Sequence, residues 1–295
     1  MTDETTTTPP RLGVVTVSYG SDDVLPGLLA SIPAAAGGAD AVVVVVDNLP
    51  SEGDSEGIAR RFGATYVPLP ENPGYGGAMN AGVAMLPASV EWVLIVNPDV
   101  ALDAGSIAAL VAYGAAHPDA GSVGPLVRNP DGTAYPSARA VPSLRTGVGH
   151  ALIGPVWAGN PWTRAYRKDS TETPALRDAG WLSGACVLVR RRVFDEIGGF
   201  DEGYFMYFED VDLGARIGRA GYRNVYEPAA AVTHEGGHST GRASERMIIA
   251  HHDSARRFLS KKYPGPLLWP IRASLSLGLR MRGALAIRRA RRASN

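Results

Sequence analysis

Two stretches of this chain, residues 41–46 and 92–96, admit no polar residue. Each stops at a polar turn, Asp47-Asn48 after the first and Asn97-Pro98-Asp99 after the second. Strands without alternation are covered on both faces, so helices must pack on either side of the sheet that holds them. The surrounding sequence supplies such helices. Residues 12–18 read as a first strand ending in Tyr19-Gly20. Asp22 and Asp23 are placed to cap a helix running to Ile32, with Pro33 and Gly37-Gly38 as its stop. A helix over 56–62, a strand over 65–67, a glycine-rich turn into a helix, a helix over 103–117 and a strand over 122–127 follow. Strands alternating with helices predict a parallel α/β sheet. Ligands of such sheets bind beyond the carboxyl ends of the strands, where Ser18, Asp47 and Asp99 all fall.

Residues 129–180 are rich in Pro, Gly and Arg and read as irregular. A strand over 185–189, a helix over 211–220 and a helical pattern beyond Ser244 complete the chain. The organisation so read is a disordered leader (1–10), one α/β domain (11–243) and a basic helical extension (244–295). With 295 residues, 45% of them apolar, the chain can bury a substantial core. Its zero net charge conceals an asymmetry: after Asp253 come eleven Lys and Arg residues and no acid. Such a tail suits a polyanion, either nucleic acid or an anionic membrane surface. The acidic body and the lack of a nucleic-acid module favour the membrane. A solvated tail or a homo-oligomer contact is the bland alternative. The N-terminus lacks a signal peptide's apolar core, and no run of about 18 apolar residues offers a spanning helix. The single Cys186 excludes an internal disulfide and fits a reducing compartment.

Several short segments carry chemistry. Asn72-Pro-Gly-Tyr-Gly-Gly-Ala-Met-Asn80 is a glycine-rich loop entering a helix. It can bring backbone N–H groups to a phosphate, or be a tight strand-to-helix connection; it matches neither a P-loop nor a clean dinucleotide fingerprint. Asn97-Pro98-Asp99 offers a carboxylate to a hard cation such as Mg²⁺, or forms an Asx-Pro turn. His234 can complete a metal site or bond a diphosphate. His238 stands four residues on, but Gly236-Gly237 oppose a zinc-binding helix there, and His238 reads as a surface-loop residue. Trp181-Leu-Ser183-Gly184 can meet a sugar through its indole and hydroxyl, or simply pack in the core. Cys186, inside an apolar strand, reads as packing. Finally, Tyr204-Phe-Met-Tyr-Phe208 delivers Glu209, Asp210 and Asp212. Carboxylates beside such apolar sequence are costly to bury unless paired or bound. One held against an apolar wall is a candidate general base. Asp210 is also placed to cap the following helix, with Glu209 and Asp212 near its positive end.

Taken in order, these segments resemble the family 2 glycosyltransferases with the GT-A fold, over about residues 12–239. The elements that carry the resemblance are Val15-Thr-Val-Ser-Tyr19, Val45-Val-Asp47-Asn48, Glu71-Asn72-Pro-Gly74 with Gly77 and Asn80, Asn97-Pro-Asp99, Trp181-Leu-Ser-Gly184, Glu209-Asp210-Val-Asp-Leu213 and His234. The resemblance is closest to bacterial rhamnosyltransferases, of the actinobacterial kind that extends an N-acetylglucosaminyl-diphospho-polyprenol in building a cell-wall linker. It implies that Thr16, Ser18, Tyr19 and Asp47 bind the nucleoside, and that Asn72, Gly74, Gly77 and Asn80 hold ribose and diphosphate. Asp99 would bind Mg²⁺ or Mn²⁺, joined by His234. Asn97, where many relatives carry Asp, would lie on the nucleotide-sugar side with less charge. Asp210 would be the base, and Trp181, Ser183, Gly184 and Glu209 would shape the acceptor site.

The implied reaction is inverting transfer of L-rhamnose from dTDP-L-rhamnose to a polyprenyl-diphospho-GlcNAc acceptor. Asp210 takes the acceptor proton; with an ordinary pKa of about 3.9 it would be ionised at neutral pH. A UDP-dependent galactofuranosyl- or hexosyltransferase is the rival reading, and a non-catalytic nucleotide-sugar-binding protein a further one. The expected location is cytoplasmic, peripheral on the inner face of the plasma membrane through the basic tail.

Overall fold

Strand β1 (Arg11–Ser18) pairs in parallel with β2 (Ala41–Asp47) on one side and β4 (Val90–Val96) on the other, and β3 (Thr65–Pro68) adds in parallel beyond β2. The computed structural model describes residues 11–143, 174–236 and 245–293. Helices α1 (Leu25–Ala35), α2 (Ser55–Arg61) and α3 (Gly74–Ala84) connect these strands, as the sequence pattern requires. The sheet continues through β5 (Val100–Leu102), helix α4 (Ser106–Ala116), β6 (Ala120–Arg128) and the short β7 (Ala134–Tyr135) and β8 (Ala138–Arg139). After the undescribed stretch come β9 (Arg177–Ala179), β10 (Trp181–Leu182), β11 (Cys186–Arg190), α5 (Arg191–Glu196), α6 (Glu209–Arg219) and β12 (Arg223–His234). Helices α7 (Glu245–Lys262) and α8 (Trp269–Ala293) end the chain.

The strand order is β3-β2-β1-β4-β11-β6-β12-β5. Only β11 and the edge strand β5 run against the rest of that path. This reversal positions the site. Because β11 is antiparallel to β4, its first residue, Cys186, lies opposite Val96 at the end of β4. The residues just before it, Ser183-Gly184-Ala185, are thereby carried to the edge where Ser18, Asp47 and Asn97 emerge. β12 ends at the same edge, and its pairing with β5 sets His234 opposite Val100, next to Asp99.

Both faces of the sheet are covered. Leu12, Val14, Val45 and Leu94 pack with Leu25, Leu28, Ile32 and Leu110 from α1 and α4. Val15, Val17, Val44, Val46 and Ile95 pack on the other face with Met79 and Val83 of α3, Phe194 of α5, and Leu213 and Ile217 of α6. Full burial of each such side chain is worth about 1.5–3 kcal/mol. α3 lies unusually close to the sheet: a methyl group at Gly82 would overlap the Val15 side chain.

Some local expectations change. α1 does not stop at Pro33 but carries it in its last turn, where the missing N–H forgoes one bond to the Leu29 carbonyl. Asp22 does not cap α1, whose N-cap is Val24 without a side-chain bond. It instead accepts from Ser55 Oγ (2.8 Å) and from the Asp54 backbone N–H, tying the β1–α1 loop to α2. The stretch expected to be irregular contains β7, β8 and β9, held by pairing with β6, β10 and β12. The leader (1–10), residues 144–173 and His238 lie outside the described residues. Cys186 is buried in the core with its thiol pushed up to about 12 by burial, as a packing residue should be.

Candidate active site

At the carboxyl ends of β1 and β2, Ser18 and Asp47 face each other across one register position. Asp47 is 2% exposed. Its Oδ1 accepts from the Leu49 backbone N–H and its Oδ2 from the Tyr66 hydroxyl, both at 2.9 Å. Burial and the Asp47 bond push the Tyr66 phenol up to about 12. Ser18 Oγ meets Ser55 Oγ at 2.9 Å. Tyr19, next to Ser18, is exposed and presents its ring at this edge. Thr16 differs from the nucleoside role implied for it. It is fully enclosed between strands, and its hydroxyl has no protein partner.

The glycine-rich loop is organised around packing more than around open N–H groups. Asn72 Oδ1 accepts from the Gly74 N–H at 2.8 Å. Gly74 has φ +85°, and a methyl there would overlap the Phe205 carbonyl. That close approach lets the Tyr75 N–H donate to the same carbonyl at 3.0 Å. Gly77 sits against Pro73. Asn80 donates to the Phe200 carbonyl and accepts from the Phe200 N–H, each at 2.9 Å. Gly77 and Asn80 thus brace the loop against residues 200–202 and are not brought to the strand ends.

Asn97 leaves β4 with its N–H bonded to the Ala185 carbonyl at 2.9 Å. Asp99 Oδ1 and His234 Nε2 are 3.0 Å apart, and Asn97 Nδ2 is 3.4 Å from the same nitrogen. The carboxylate and the imidazole converge from opposite strands of the β5–β12 pair. Among the described residues no cluster of three or more His, Cys, Asp or Glu is set to hold a cation alone. The Asp99 carboxylate and the His234 imidazole could supply two ligands to a divalent ion that completes its shell from elsewhere.

Opposite this pair, Tyr207 (φ 68°) and Phe208 (φ 66°) both adopt the left-handed conformation. This is strained for bulky residues and costs about 1–3 kcal/mol at each. Phe208 is the N-cap of α6, so Asp210 is not the cap and lies within the first turn. Its Oδ2 accepts from the Gly184 N–H (3.2 Å) and its Oδ1 from the Val211 N–H (2.8 Å). A methyl group at Gly184 would meet the Tyr75 ring and Asp210 Cβ at ordinary contact distances, 3.4 and 3.6 Å, which shows how closely this backbone approaches the carboxylate. Tyr75 donates its hydroxyl to the Gly184 carbonyl at 2.6 Å. Burial raises its phenol pKa, and the nearby Glu209 and Asp210 carboxylates add to the rise.

The adjacent carboxylates cannot both ionise cheaply. Burial pushes Glu209 up to about 8, with Asp210's charge adding to the shift. Burial also raises Asp210, while the two N–H donors and Arg139 favour its charged form. The ordinary pKa expected for Asp210 is thus corrected upward. Burial thus opposes charge on both, and Glu209, which lacks side-chain donors, is the one more strongly biased to its neutral form. Because Glu209 is buried neutral, its contribution to stability is complete below about 4.5 and is lost as pH rises towards about 8.

Trp181 is half-buried, with Nε1–H donating to the Ala140 carbonyl (3.2 Å) and the Arg139 guanidinium 5.6 Å from its ring. Ser183 bonds Ser137 and Ala185 through its N–H and Oγ. Asp212 points away from the crevice and pairs with Arg216 and Lys261, each at 2.6 Å. Tyr66, Tyr75 and Arg139 had gone unnoticed in the sequence. Tyr75 lies inside the glycine motif and was legible there; Tyr66 and Arg139 reach the site only through sheet pairing.

The fold is that of the GT-A glycosyltransferases. A mannosyltransferase from Pyrobaculum calidifontis, solved with GDP-Man and Mn²⁺, superposes with a TM-score of 0.57 over 97% of this chain and 74% of its own, at 18% identity. GalNAc-T7, solved with UDP, GalNAc and Mn²⁺, gives 0.57 over 77% of this chain and 43% of its own, at 17% identity. The chain belongs to glycosyltransferase family 2: residues 9–250 match the model described as "Glycosyltransferase like family 2". Over 295 aligned residues it is 44% identical to the N-acetylglucosaminyl-diphospho-decaprenol L-rhamnosyltransferase of Mycobacterium tuberculosis, with 95% of each chain covered. It is 29% identical to the rhamnosyltransferase WbbL of Escherichia coli K12, over 64% of this chain and 71% of that one.

Proposed function

We propose that this glycosyltransferase moves L-rhamnose from dTDP-L-rhamnose to a GlcNAc-diphospho-polyprenol, with inversion at the anomeric carbon. The observation that carries the chemistry is Asp210, half-buried in the first turn of α6, aimed by two backbone N–H groups that favour its charged form and set beside Glu209, which burial biases to the neutral form. The choice of sugar and acceptor is supported by the 44% identity to the mycobacterial rhamnosyltransferase along nearly its whole length.

In this reading Asp47, Ser18 and Tyr19 take the nucleoside, and Asn72 with the Gly74 turn closes over the ribose and diphosphate. Thr16, Gly77 and Asn80 support those groups from inside the fold. Asp99 and His234 hold Mg²⁺ or Mn²⁺, with Asn97 bonded beside them; a bound divalent ion supplies positive charge for the departing diphosphate. Trp181, Ser183, Gly184 and Glu209 border the acceptor. Neutral Glu209 can donate a hydrogen bond to a sugar oxygen, while Asp210 accepts the proton of the attacking hydroxyl. Proton transfer of this kind is worth about 10²–10⁴-fold in rate. A donor panel tests the assignment: with a short polyprenyl-diphospho-GlcNAc acceptor, dTDP-L-rhamnose gives product and UDP-hexoses do not. Turnover confined to UDP-sugars would replace it with the hexosyltransferase reading.

The lipid-linked acceptor also gives the C-terminal segment a task. Among the described residues no helix is long and apolar enough to cross a membrane. Leu267, Trp269, Leu277 and Met281 are nonetheless exposed, in a stretch with Arg272 and Arg280 and no acid. Apolar and cationic side chains together suit the surface of an anionic leaflet, at about 1 kcal/mol per cation. In this reading the enzyme works peripherally on the inner face of the plasma membrane. Anionic vesicles should sediment the full chain but not one ending at Tyr263; equal sedimentation of both would contradict the docking role.

A further inference from the structure

The face of α7 that looks into the protein meets each of the five residues before the Glu209-Asp210 pair. Arg257 and Lys261 lie over the Tyr204 ring at 5.3 and 5.5 Å. Arg246 lies over Phe205 at 4.6 Å. Ser254 Oγ donates to the Met206 carbonyl at 2.9 Å. His251 meets the edges of Tyr207 and Phe208 at 5.3 and 5.6 Å, and Phe258 packs on Phe208 at 5.6 Å. Beyond this run, Lys261 Nζ bridges Asp201 and Asp212, each at 2.6 Å, and Arg257 pairs with Asp201 at 2.7 Å. Asp201 precedes the aromatic run and Asp212 follows Asp210 by two residues, so Lys261 fixes both ends of the strained turn. The Arg257 guanidinium lies directly over Gly203, where a Cβ would overlap it as it stands.

We propose that α7 is a positioning clamp for the reaction: Lys261, with His251 and Phe258, holds Tyr207 and Phe208 in their left-handed conformation and so fixes the direction of the Asp210 carboxylate. The inference rests on Asp210 being the base. It gives part of the basic C-terminal region a second task, separate from membrane contact. α7 acts on the turn from within the protein, and α8 carries the exposed apolar residues. A displacement of about 1 Å at a reacting group can cost about 10²-fold in rate.

The test uses the full chain, a water-soluble short-chain acceptor and no membrane. Lys261→Met should lower kcat by about 10- to 100-fold, leave the donor KM and dTDP affinity within about 2-fold, and be largely rescued by Lys261→Arg. Unchanged dTDP binding and circular dichroism show that the variant is folded. Full kcat in Lys261→Met would overturn the proposal. So would a parallel loss of kcat, dTDP affinity and thermal stability, because the ion pairs would then only hold the fold. Asp210→Asn is measured alongside: if it turns over normally the base assignment fails, whereas its inactivity with a fully active Lys261→Met refutes the clamp alone.

Discussion

Asp210→Asn is expected to lower kcat by about 10²–10⁴-fold and leave dTDP affinity unchanged. The amide keeps the size of the carboxylate and can still accept from the Gly184 or Val211 N–H, but it cannot take a proton from the acceptor. Initial rates with saturating donor, set beside dTDP titration, separate the two effects. The pH profile carries a second signature. Burial raises Asp210, so the acid limb of kcat/KM should fall at a pH above that of an ordinary carboxylate. Glu209 ionises near 8 and would then put a second buried charge beside the base, so activity should decline on the alkaline side there. Glu209→Gln resembles the neutral acid. It should stay active at neutral pH and lose that alkaline limb, and a limb that persists would assign it to another group.

The second large effect falls on Asp99. Its carboxylate lies 3.0 Å from His234 Nε2, and the two side chains together can offer ligands to a divalent ion. Asp99→Ala should reduce turnover by at least about 10²-fold, in line with the loss of one principal electrostatic group at a developing charge. Chelation of the wild-type enzyme should do the same and be reversed by Mg²⁺ or Mn²⁺. The variant should respond weakly to added metal. Full activity of the wild type in excess chelator would remove the metal from the account.

The parts of this molecule that could be read in the sequence are those decided locally. The uniform apolar runs 41–46 and 92–96 require a two-faced sheet, and their polar ends mark its functional edge. The convergence of Asp99 with His234 is set by strand pairing and that of Gly184 with Asp210 by helix-to-loop packing, contacts that link residues 135 and 26 positions apart, and no local pattern reports these. The glycine-rich loop was ambiguous for a related reason. Gly74 serves the close approach of the Phe205 backbone, a partner on the far side of the sheet connection. The misreading of Asp210 as ordinary in pKa has the same origin: its shift comes from burial, and burial is a property of the fold. The placement of Asp210 in place of a cap follows from Phe208, whose left-handed φ nothing in an aromatic residue would announce.

The most direct test of the account is the configuration of the product's new glycosidic bond. If Asp210 acts as the base on the acceptor hydroxyl, transfer is one displacement, so NMR of the rhamnosylated acceptor should show an anomeric centre opposite to that of the dTDP-L-rhamnose donor. Retention of the donor's configuration would contradict it, because two displacements would then be needed and Asp210 could not be acting as the base described.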